Sequence, residues 1–289
     1  MYVRAVHTVS DLRKALESAE LIGLVPTMGA LHAGHENLIE MARRECTTVV
    51  VSIFVNPIQF GPGEDYARYP RTLEQDLEAC ARRGADLVFA PPVEEMYPLP
   101  QLTFVEVTRI SEHLCGKFRP GHFRGVATVV LKLLNIVQPQ RAYFGEKDMQ
   151  QLQVIRRMAL DLNLPVTIVG VPTVREADGL ALSSRNKYLS EEERIAAPAL
   201  YQALQAAVRR IREGERDVTK ARTAALEILE KQALIRVEYL EIVDPDELAP
   251  VSTIGRSVRI AAAIWIGRTR LIDNVFVKAT APQVSTRAK

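Results

Sequence analysis

Leu21-Ile22-Gly23-Leu24-Val25-Pro26 is the stretch that decides the fold of this 289-residue chain, together with Thr27-Met28-Gly29-Ala30-Leu31 and His32-Ala33-Gly34-His35 directly after it. The apolar run is too short for a helix and predicts a buried strand. Beyond the turn, apolar residues recur at helical spacing over Leu38–Ala42. Both histidines are therefore expected where a strand passes into the N-terminus of a helix.

The position of the two histidines favours an anion-binding role. The free backbone N–H groups and the dipole of a helix N-terminus attract anions. Imidazole N–H groups at that place can grip phosphate oxygens and follow the charge that builds as a phosphoanhydride breaks. The alternatives are surface residues, a helix cap or half of a metal site. Zinc is disfavoured because no third His or Cys lies at ligand spacing nearby.

Strand and helix patterns alternate through the first part of the chain. Short apolar or β-branched runs predict strands, and amphipathic stretches between them predict helices. This alternation is typical of right-handed βαβ units and indicates an α/β fold, a Rossmann-like doubly wound parallel sheet. The predicted strands are 47–55, 85–90, 142–144 and 166–171, and the predicted helices are 72–83, 122–138 and 152–162.

The pattern changes near residue 175. Two helices, Glu191–Arg212 and Thr219–Gln232, are expected without a strand between them, and three strand-like runs follow. We therefore expect a Rossmann-like nucleotide-binding domain over residues 1–175 and a smaller C-terminal α+β domain over residues 176–289. The strand-like runs are Val237–Val243, Val258–Ile266 and Leu271–Val277, and the polar tail Ala281–Lys289 is expected to be frayed.

Three loops follow predicted strands and are expected to line one crevice at the carboxyl end of the sheet. They are the histidine turn, the loop Asn56–Gly63 and the segment Gly145–Asp148. Neither GxxxxGK[ST] nor GxGxxG occurs, which disfavours kinase-like and dinucleotide-binding interpretations.

Two polar segments have both a ligand-binding and a local structural interpretation. Lys147 would bring a positive charge to phosphates, whereas Asp148 with Gln151 also fits a helix cap. The hydroxyl pair and cation in Leu182–Asn186 suit phosphate oxygens, whereas a polar hinge loop is the alternative.

The neutral amides Gln59 and Gln151 each offer a donor and an acceptor and suit a small hydroxy acid. The segment Arg119–Gly125 mixes cations with turn formers ahead of a long apolar helix. Its two interpretations, a place beside the crevice or a subunit contact, stay open at this point.

Composition excludes several classes of function. The net charge of +2 gives no reason to expect a nucleic-acid partner or an anionic membrane. No segment approaches the ~18–20 apolar residues of a membrane span, and the N-terminus lacks a signal-type stretch. The three scattered cysteines, Cys46, Cys80 and Cys115, fit a reducing cytoplasm better than a disulfide scaffold.

With these residues identified, the chain resembles the pantothenate synthetases, or pantoate–β-alanine ligases, over nearly its whole length. These enzymes belong to the HxGH nucleotidyltransferase superfamily, which is related in fold to the class I aminoacyl-tRNA synthetases. Several blocks in the family's order carry the resemblance: Pro26–His35, Phe54–Phe60, Tyr69–Arg71, Arg119–Phe123, Phe144–Asp148 and Val174–Asn186.

The resemblance implies an ATP- and Mg²⁺-dependent ligase that joins pantoate to β-alanine through a pantoyl adenylate, releasing pyrophosphate and AMP. It further implies that Gln59 serves pantoate and β-alanine, that Gln151 serves pantoate, and that the C-terminal domain acts as a lid. The residues it assigns to ATP are Met28, Gly29, Ala30, Leu31, His32, Ala33, Gly34, His35, Gly145, Glu146, Lys147, Asp148, Val174, Leu182, Ser183, Ser184 and Arg185.

The resemblance also assigns His35 as proton donor and implies a homodimer. An alternative role for His35 stays open at this point, because the leaving pyrophosphate is already highly charged. That alternative is electrostatic stabilisation by the catalytic candidates His32, His35, Lys147 and Arg185. Two rivals remain: a nucleotidyltransferase that stops at a nucleotide product, and a tRNA-binding protein, which the near-neutral charge disfavours.

Overall fold

The computed structural model describes residues 3–255 and 257–278. The predicted frayed tail, Ala281–Lys289, lies outside the described residues. The chain folds as two compact units. The first runs to Val174 and also contains Leu182–Ser184, whereas the second contains Arg175–Ala181 and the chain from Arg185 onward.

The first unit is built on a parallel sheet, which confirms the predicted fold class. Within the described residues the sheet has six strands in the order β1-β4-β3-β2-β5-β6, and every neighbouring pair is parallel. The central strand β2 therefore has β3 on one side and β5 on the other, so the loops after these three strands meet at one edge. The strands are β1 (Arg4–Val6), β2 (Ile22–Thr27), β3 (Thr48–Ile53), β4 (Leu87–Phe89), β5 (Arg141–Gly145) and β6 (Thr167–Val171).

Helices cover both faces of this sheet. Val49 and Val51 of β3 pack in one core cluster with Leu38 and Ile39, while Val50, which points to the opposite face, is also fully buried. Burial on both faces explains why the strand sequence is a continuous β-branched run. The helices are α1 (Val9–Leu16), α2 (Ala33–Glu45), α3 (Leu73–Arg82), α4 (Val93–Met96), α5 (Leu114–Phe118), α6 (His122–Val137) and α7 (Met149–Asp161), with 3₁₀ turns at Pro57–Gln59, Asp65–Arg68, Ile110–Glu112 and Glu146–Asp148.

The second unit packs helices against a three-stranded antiparallel sheet with the order β7-β8-β9. Leu200 and Leu204 share a buried cluster with Ile260 and Ile264 of the middle strand. This unit confirms the predicted smaller α+β fold. Its elements are a 3₁₀ turn at Ser184–Tyr188, which begins in the first unit, α8 (Glu191–Ala196), α9 (Ala199–Arg212), α10 (Val218–Glu230), β7 (Ile235–Val243), β8 (Ser257–Ile266) and β9 (Thr269–Lys278).

The prediction of one helix over Glu191–Arg212 was wrong. The helix is broken between α8 and α9, and Pro198 stands directly before α9. Proline lacks a backbone N–H and its ring clashes with the preceding turn, so it begins a helix rather than continuing one. The elements β1, α1, α4 and α5 were not predicted. In the described residues, no helix is long and apolar enough to cross a membrane.

Candidate active site

The histidine turn (Met28–His35) joins β2 to α2 as the sequence predicts. Its backbone reverses through two consecutive left-handed residues, Gly29 at φ 78° and Ala30 at φ 51°. Glycine adopts this conformation freely, whereas alanine is strained in it. His32 is the N-cap of α2, and its Nδ1 accepts the backbone N–H of Gly34 at 3.1 Å. The cap interpretation of His32 is thus confirmed, and in the neutral ring the proton is on Nε2.

Asp76 of α3 holds this turn from behind and was missed in the sequence. One carboxylate oxygen accepts the N–H of Ala30 at 3.0 Å, and the other accepts the N–H of Leu31 at 2.8 Å. Asp76 is 2% exposed, and Thr72 Oγ1 donates to the same carboxylate at 3.3 Å. These bonds stabilise the strained φ of Ala30.

The two histidines form one polar surface at the start of α2. Their ring centroids are 4.2 Å apart. Nδ1 of His35 is buried, and no hydrogen-bond partner for it is present among the described residues. Burial, then the charges of His32 and Lys147, lower the pKa of His35 to about 3. In the ligand-free protein at neutral pH, His35 is therefore a neutral imidazole.

Lys147 comes from the segment after β5, which forms a 3₁₀ turn over Glu146–Asp148. Its positive charge is one of the causes of the low pKa of His35, so the segment and the histidines share one electrostatic environment. Lys147 Nζ also lies 3.9 Å from Asp148 Oδ1. Asp148 is the N-cap residue of α7, as the capping interpretation predicts, but its side chain makes no cap bond there.

The Gln59 loop (Asn56–Phe60) follows β3 and lies beside the histidine turn. The Gln59 side chain is 8% exposed and its amide is held at both ends. Oε1 accepts from Asn56 Nδ2 at 3.0 Å, and Nε2 donates to Met28 Sδ at 3.1 Å. Tyr97 donates in turn to Asn56 Oδ1 at 2.8 Å.

The start of α6 supports this loop, so the segment Arg119–Gly125 lies beside it; the subunit-contact interpretation of that segment stays a prediction. Asn56 Nδ2 donates to the carbonyl of Gly125 at 3.2 Å. A Cβ on Gly125 would lie 2.4 Å from the Ile58 carbonyl oxygen and 2.7 Å from Gln59 Cα. Only glycine lets the helix approach the loop so closely.

Leu182–Ser184 belongs to the same unit as the histidine turn. The N–H of Leu182 donates to the carbonyl of Val174 at 3.0 Å. A Cβ on Gly34 would lie 3.9 Å from Leu182 Cβ, so this segment passes beside the start of α2. Ser184 is buried, with its Oγ 3.5 Å from the hydroxyl of Tyr69.

No contact described above links two of the predicted site residues, Arg185 and Gln151, to the histidine turn. Arg185 belongs to the second unit, and Gln151 is half-buried in the first turn of α7. Their roles stay predictions. Among the described residues, no group of three or more His, Cys, Asp or Glu side chains is arranged to hold a metal ion.

The fold and this site define a class of protein: a parallel α/β unit with an HxGH turn, a buried neutral imidazole and a lysine at the carboxyl ends of adjacent strands. A family model described as pantoate-beta-alanine ligase matches residues 3–276. The chain belongs to the pantoate–β-alanine ligase family.

Individual relatives agree over nearly the full length. The pantothenate synthetase of Moorella thermoacetica is 56% identical over 277 residues, which is 94% of this chain and 98% of the relative. The crystal structure of the pantothenate synthetase from Thermus thermophilus matches with a TM-score of 0.92 and 55% identity, covering 94% of this chain and 99% of the other. The Francisella tularensis enzyme, solved with beta-gamma ATP and beta-alanine, gives a TM-score of 0.79 and 35% identity, covering 94% of this chain and 97% of the other.

Proposed function

We propose that this chain condenses pantoate with β-alanine at the cost of ATP. A pantoate carboxylate oxygen attacks the α-phosphorus, the bond to the bridging oxygen of the β-phosphate breaks, and pyrophosphate leaves with the electron pair. The β-alanine nitrogen then attacks the acyl carbon, the bond to AMP breaks, and the ammonium proton passes to solvent. The observation that carries the proposal is the meeting of the histidine turn with the Gln59 loop, in a chain of this family.

His35 acts in this proposal as a neutral hydrogen-bond donor to phosphate oxygen. With a pKa of about 3, the ligand-free His35 is a neutral imidazole at neutral pH, and its one ring N–H can donate a hydrogen bond to the leaving pyrophosphate. Binding of a polyanionic nucleotide opposes the repulsion from Lys147 and raises this pKa. The catalytic group proposed is His32, His35, Lys147 and Arg185, with Met28–His35, Gly145–Asp148, Val174 and Leu182–Arg185 as the ATP contacts.

Gln59 and Gln151 are proposed to bind the hydroxy acid. Support for Gln59 comes from its buried amide, which faces Met28 of the histidine turn. A neutral amide binds both a hydroxyl and a carboxylate without fixing the protonation state of either.

ATP would enter as its magnesium complex. Mg²⁺ keeps several waters and binds through substrate phosphates with few protein ligands. This preference fits a site in which the described residues offer no group of three metal-binding side chains. We assign no protein ligand to the ion; when bound, it neutralises charge on the phosphates.

The decisive experiment incubates the protein with Mg-ATP, pantoate and β-alanine and identifies the products by mass. We expect pantothenate, AMP and pyrophosphate, with no AMP when pantoate is omitted. A nucleotide product formed without the amine would instead support a nucleotidyltransferase. Retention of tRNA at low salt would support the RNA-binding rival.

We further propose a homodimer that works in the cytoplasm. The dimer rests on the resemblance to the family. The compartment is supported by Cys46, Cys80 and Cys115, which are buried and form no disulfide within the described residues. Sedimentation equilibrium of the purified protein tests the dimer, since a monomer at micromolar concentration would contradict it.

A further inference from the structure

A chain of polar contacts runs from Glu64 to the backbone of Gln59. Arg119 donates to both Glu64 oxygens, from Nε at 2.6 Å and from Nη2 at 2.5 Å. The third Arg119 nitrogen, Nη1, lies 3.0 Å from Nε2 of His122. Nδ1 of His122 lies 2.8 Å from the carbonyl oxygen of Gln59. The side chains of Glu64, Arg119 and His122 are thus linked, one after another, to the main chain of Gln59.

The chemistry of the groups fixes the direction of each bond. A guanidinium has only donors, so Nε2 of His122 must accept from Arg119. The single proton of the neutral ring is then on Nδ1 and is donated to the Gln59 carbonyl. An imidazolium would place a second N–H against the guanidinium of Arg119. The contact between Arg119 and His122 therefore requires His122 to be neutral.

Electrostatics maintain this neutral state. Burial, followed by the charge of Arg119, lowers the pKa of His122 to about 4, against the opposing influence of the Gln59 carbonyl, Glu64 and Asp148. Burial alone would raise the pKa of Glu64, but its hydrogen bond to Arg119 and the charge of Arg119 outweigh burial and lower that pKa. Glu64 therefore stays ionised and balances the charge of the arginine.

We propose that Arg119 and His122 are positioning residues that hold Gln59 for the hydroxy acid. The inference rests on the proposed function, because it takes Gln59 as a pantoate contact. His122 fixes the main chain at Gln59, Asn56 fixes its side chain, and Gly125 brings α6 against both. Release of the main chain lets the amide swing away from the orientation in which Nε2 faces Met28.

The experiment compares His122→Phe with His122→Asn in the full-length protein. Phenylalanine keeps the ring but loses both bonds, whereas the asparagine amide can still donate to Gln59 from near the Nδ1 position. We expect His122→Phe to raise the KM for pantoate about tenfold, roughly the free energy of the one bond that reaches Gln59, with the KM for ATP within about twofold. His122→Asn should recover most of that loss.

His7 supplies the matched control. Its Nδ1 also lies within hydrogen-bond distance of a main-chain carbonyl, that of Ala90 at 2.7 Å, but it is exposed and follows the edge strand β1. His7→Phe should leave both KM values unchanged. If His122→Phe does not fold, Arg119→Lys replaces it, because lysine keeps the charge but loses the fork that reaches Glu64 and His122 together. This variant should raise the KM for pantoate about threefold.

Nitrogen-15 NMR of the His122 ring gives a readout that does not depend on turnover. We expect a neutral ring protonated on Nδ1 at pH 7, and a ring protonated on Nε2 would overturn the proposal. It would also be overturned if His122→Phe changed the KM values for ATP and pantoate equally, or if asparagine restored nothing. A wild-type protein that makes no pantothenate would refute the proposed function instead, while leaving the ring tautomer to be tested.

Discussion

The histidine turn and the Gln59 loop follow adjacent strands of one sheet, yet they are held in opposite ways. A buried carboxylate, Asp76, holds the turn by two backbone N–H groups, those of Ala30 and Leu31. The loop is held by neutral groups, with the Asn56 amide on the side chain of Gln59 and an imidazole on its carbonyl.

The difference matches what each region is proposed to bind. Phosphate-binding turns need donors at fixed places, and Asp76 secures the backbone from behind while the imidazoles face the anion. A small hydroxy acid with an uncharged hydroxyl is better recognised by an amide whose orientation is fixed by its neighbours. The histidine turn is thus suited to a charged ligand group, and the neighbouring Gln59 loop is suited to a ligand that is recognised by the direction of its hydrogen bonds.

Among these variants, His35→Ala in the histidine turn should have the largest effect on activity. Removal of one preorganised donor to the developing charge is expected to slow adenylate formation roughly 100- to 1000-fold while the protein still folds. Pantoate-dependent ATP–pyrophosphate exchange measures the loss. Exchange near the wild-type rate would contradict the role of His35.

Asp76→Ala should break the support of the same region. It leaves the buried N–H of Ala30 and the part-buried N–H of Leu31 without acceptors, and a buried unsatisfied group costs about 1–3 kcal/mol. We expect a lower free energy of unfolding in urea and a KM for ATP raised more than the KM for pantoate. Asp76→Asn, which keeps one acceptor oxygen, should show a smaller change in both. Equal increases in the two KM values would show that Asp76 does not act through the turn.

Gly125→Ala should disturb the second region alone. The new Cβ would lie 2.4 Å from the Ile58 carbonyl oxygen, so the helix or the loop must shift, at about 1–3 kcal/mol for overpacking. The KM for pantoate is expected to rise, with little change in that for ATP. Gly255→Ala is the control, because a Cβ there meets nothing within 4 Å. If Gly125→Ala left the KM for pantoate unchanged, the close approach of α6 would not be needed to position Gln59.

The dependence of the free energy of unfolding on pH tests one histidine from each region: His35 of the histidine turn and His122, which supports the Gln59 loop. The pKa values of His35, about 3, and His122, about 4, lie below the ordinary value of 6.5. Between pH 6.5 and 4 the unfolded chain therefore binds protons that the folded chain does not, and the free energy of unfolding falls as pH falls. Each histidine contributes at most roughly 1.4 kcal/mol per pH unit.

Urea denaturation at several pH values measures this dependence. The variant that combines His35→Gln with His122→Asn should show a shallower fall than the wild type. Parallel curves for the two proteins would contradict the lowered pKa values.

Local sequence was enough for the histidine turn because strand, turn and helix follow one another without interruption. The apolar run predicts β2, and helical spacing after His35 predicts α2. The parallel α/β fold and the antiparallel unit were predicted for the same reason, since each depends on the period of the apolar residues. The break between α8 and α9 also has a local signal, because Pro198 cannot continue a helix.

The residues that hold the site in place could not be predicted from such patterns. Asp76 follows the turn by 45 residues or more and looks like an ordinary acidic residue in the first turn of a helix. The direction of the His122 bonds depends on Arg119 and on a carbonyl 63 residues away. Tertiary packing alone brings these groups together, so no local period or spacing encodes them.

The contact between Met28 sulfur and the Gln59 amide has a consequence for the resting protein. A thioether is a weak acceptor, so it occupies the amide donor without competing strongly with an incoming oxygen. Oxidation of Met28 to the sulfoxide would put a strong acceptor in the same place. One of the two N–H groups of the Gln59 amide would then be occupied by a strong acceptor before any substrate arrived, so oxidation of this one sulfur atom would weaken substrate binding.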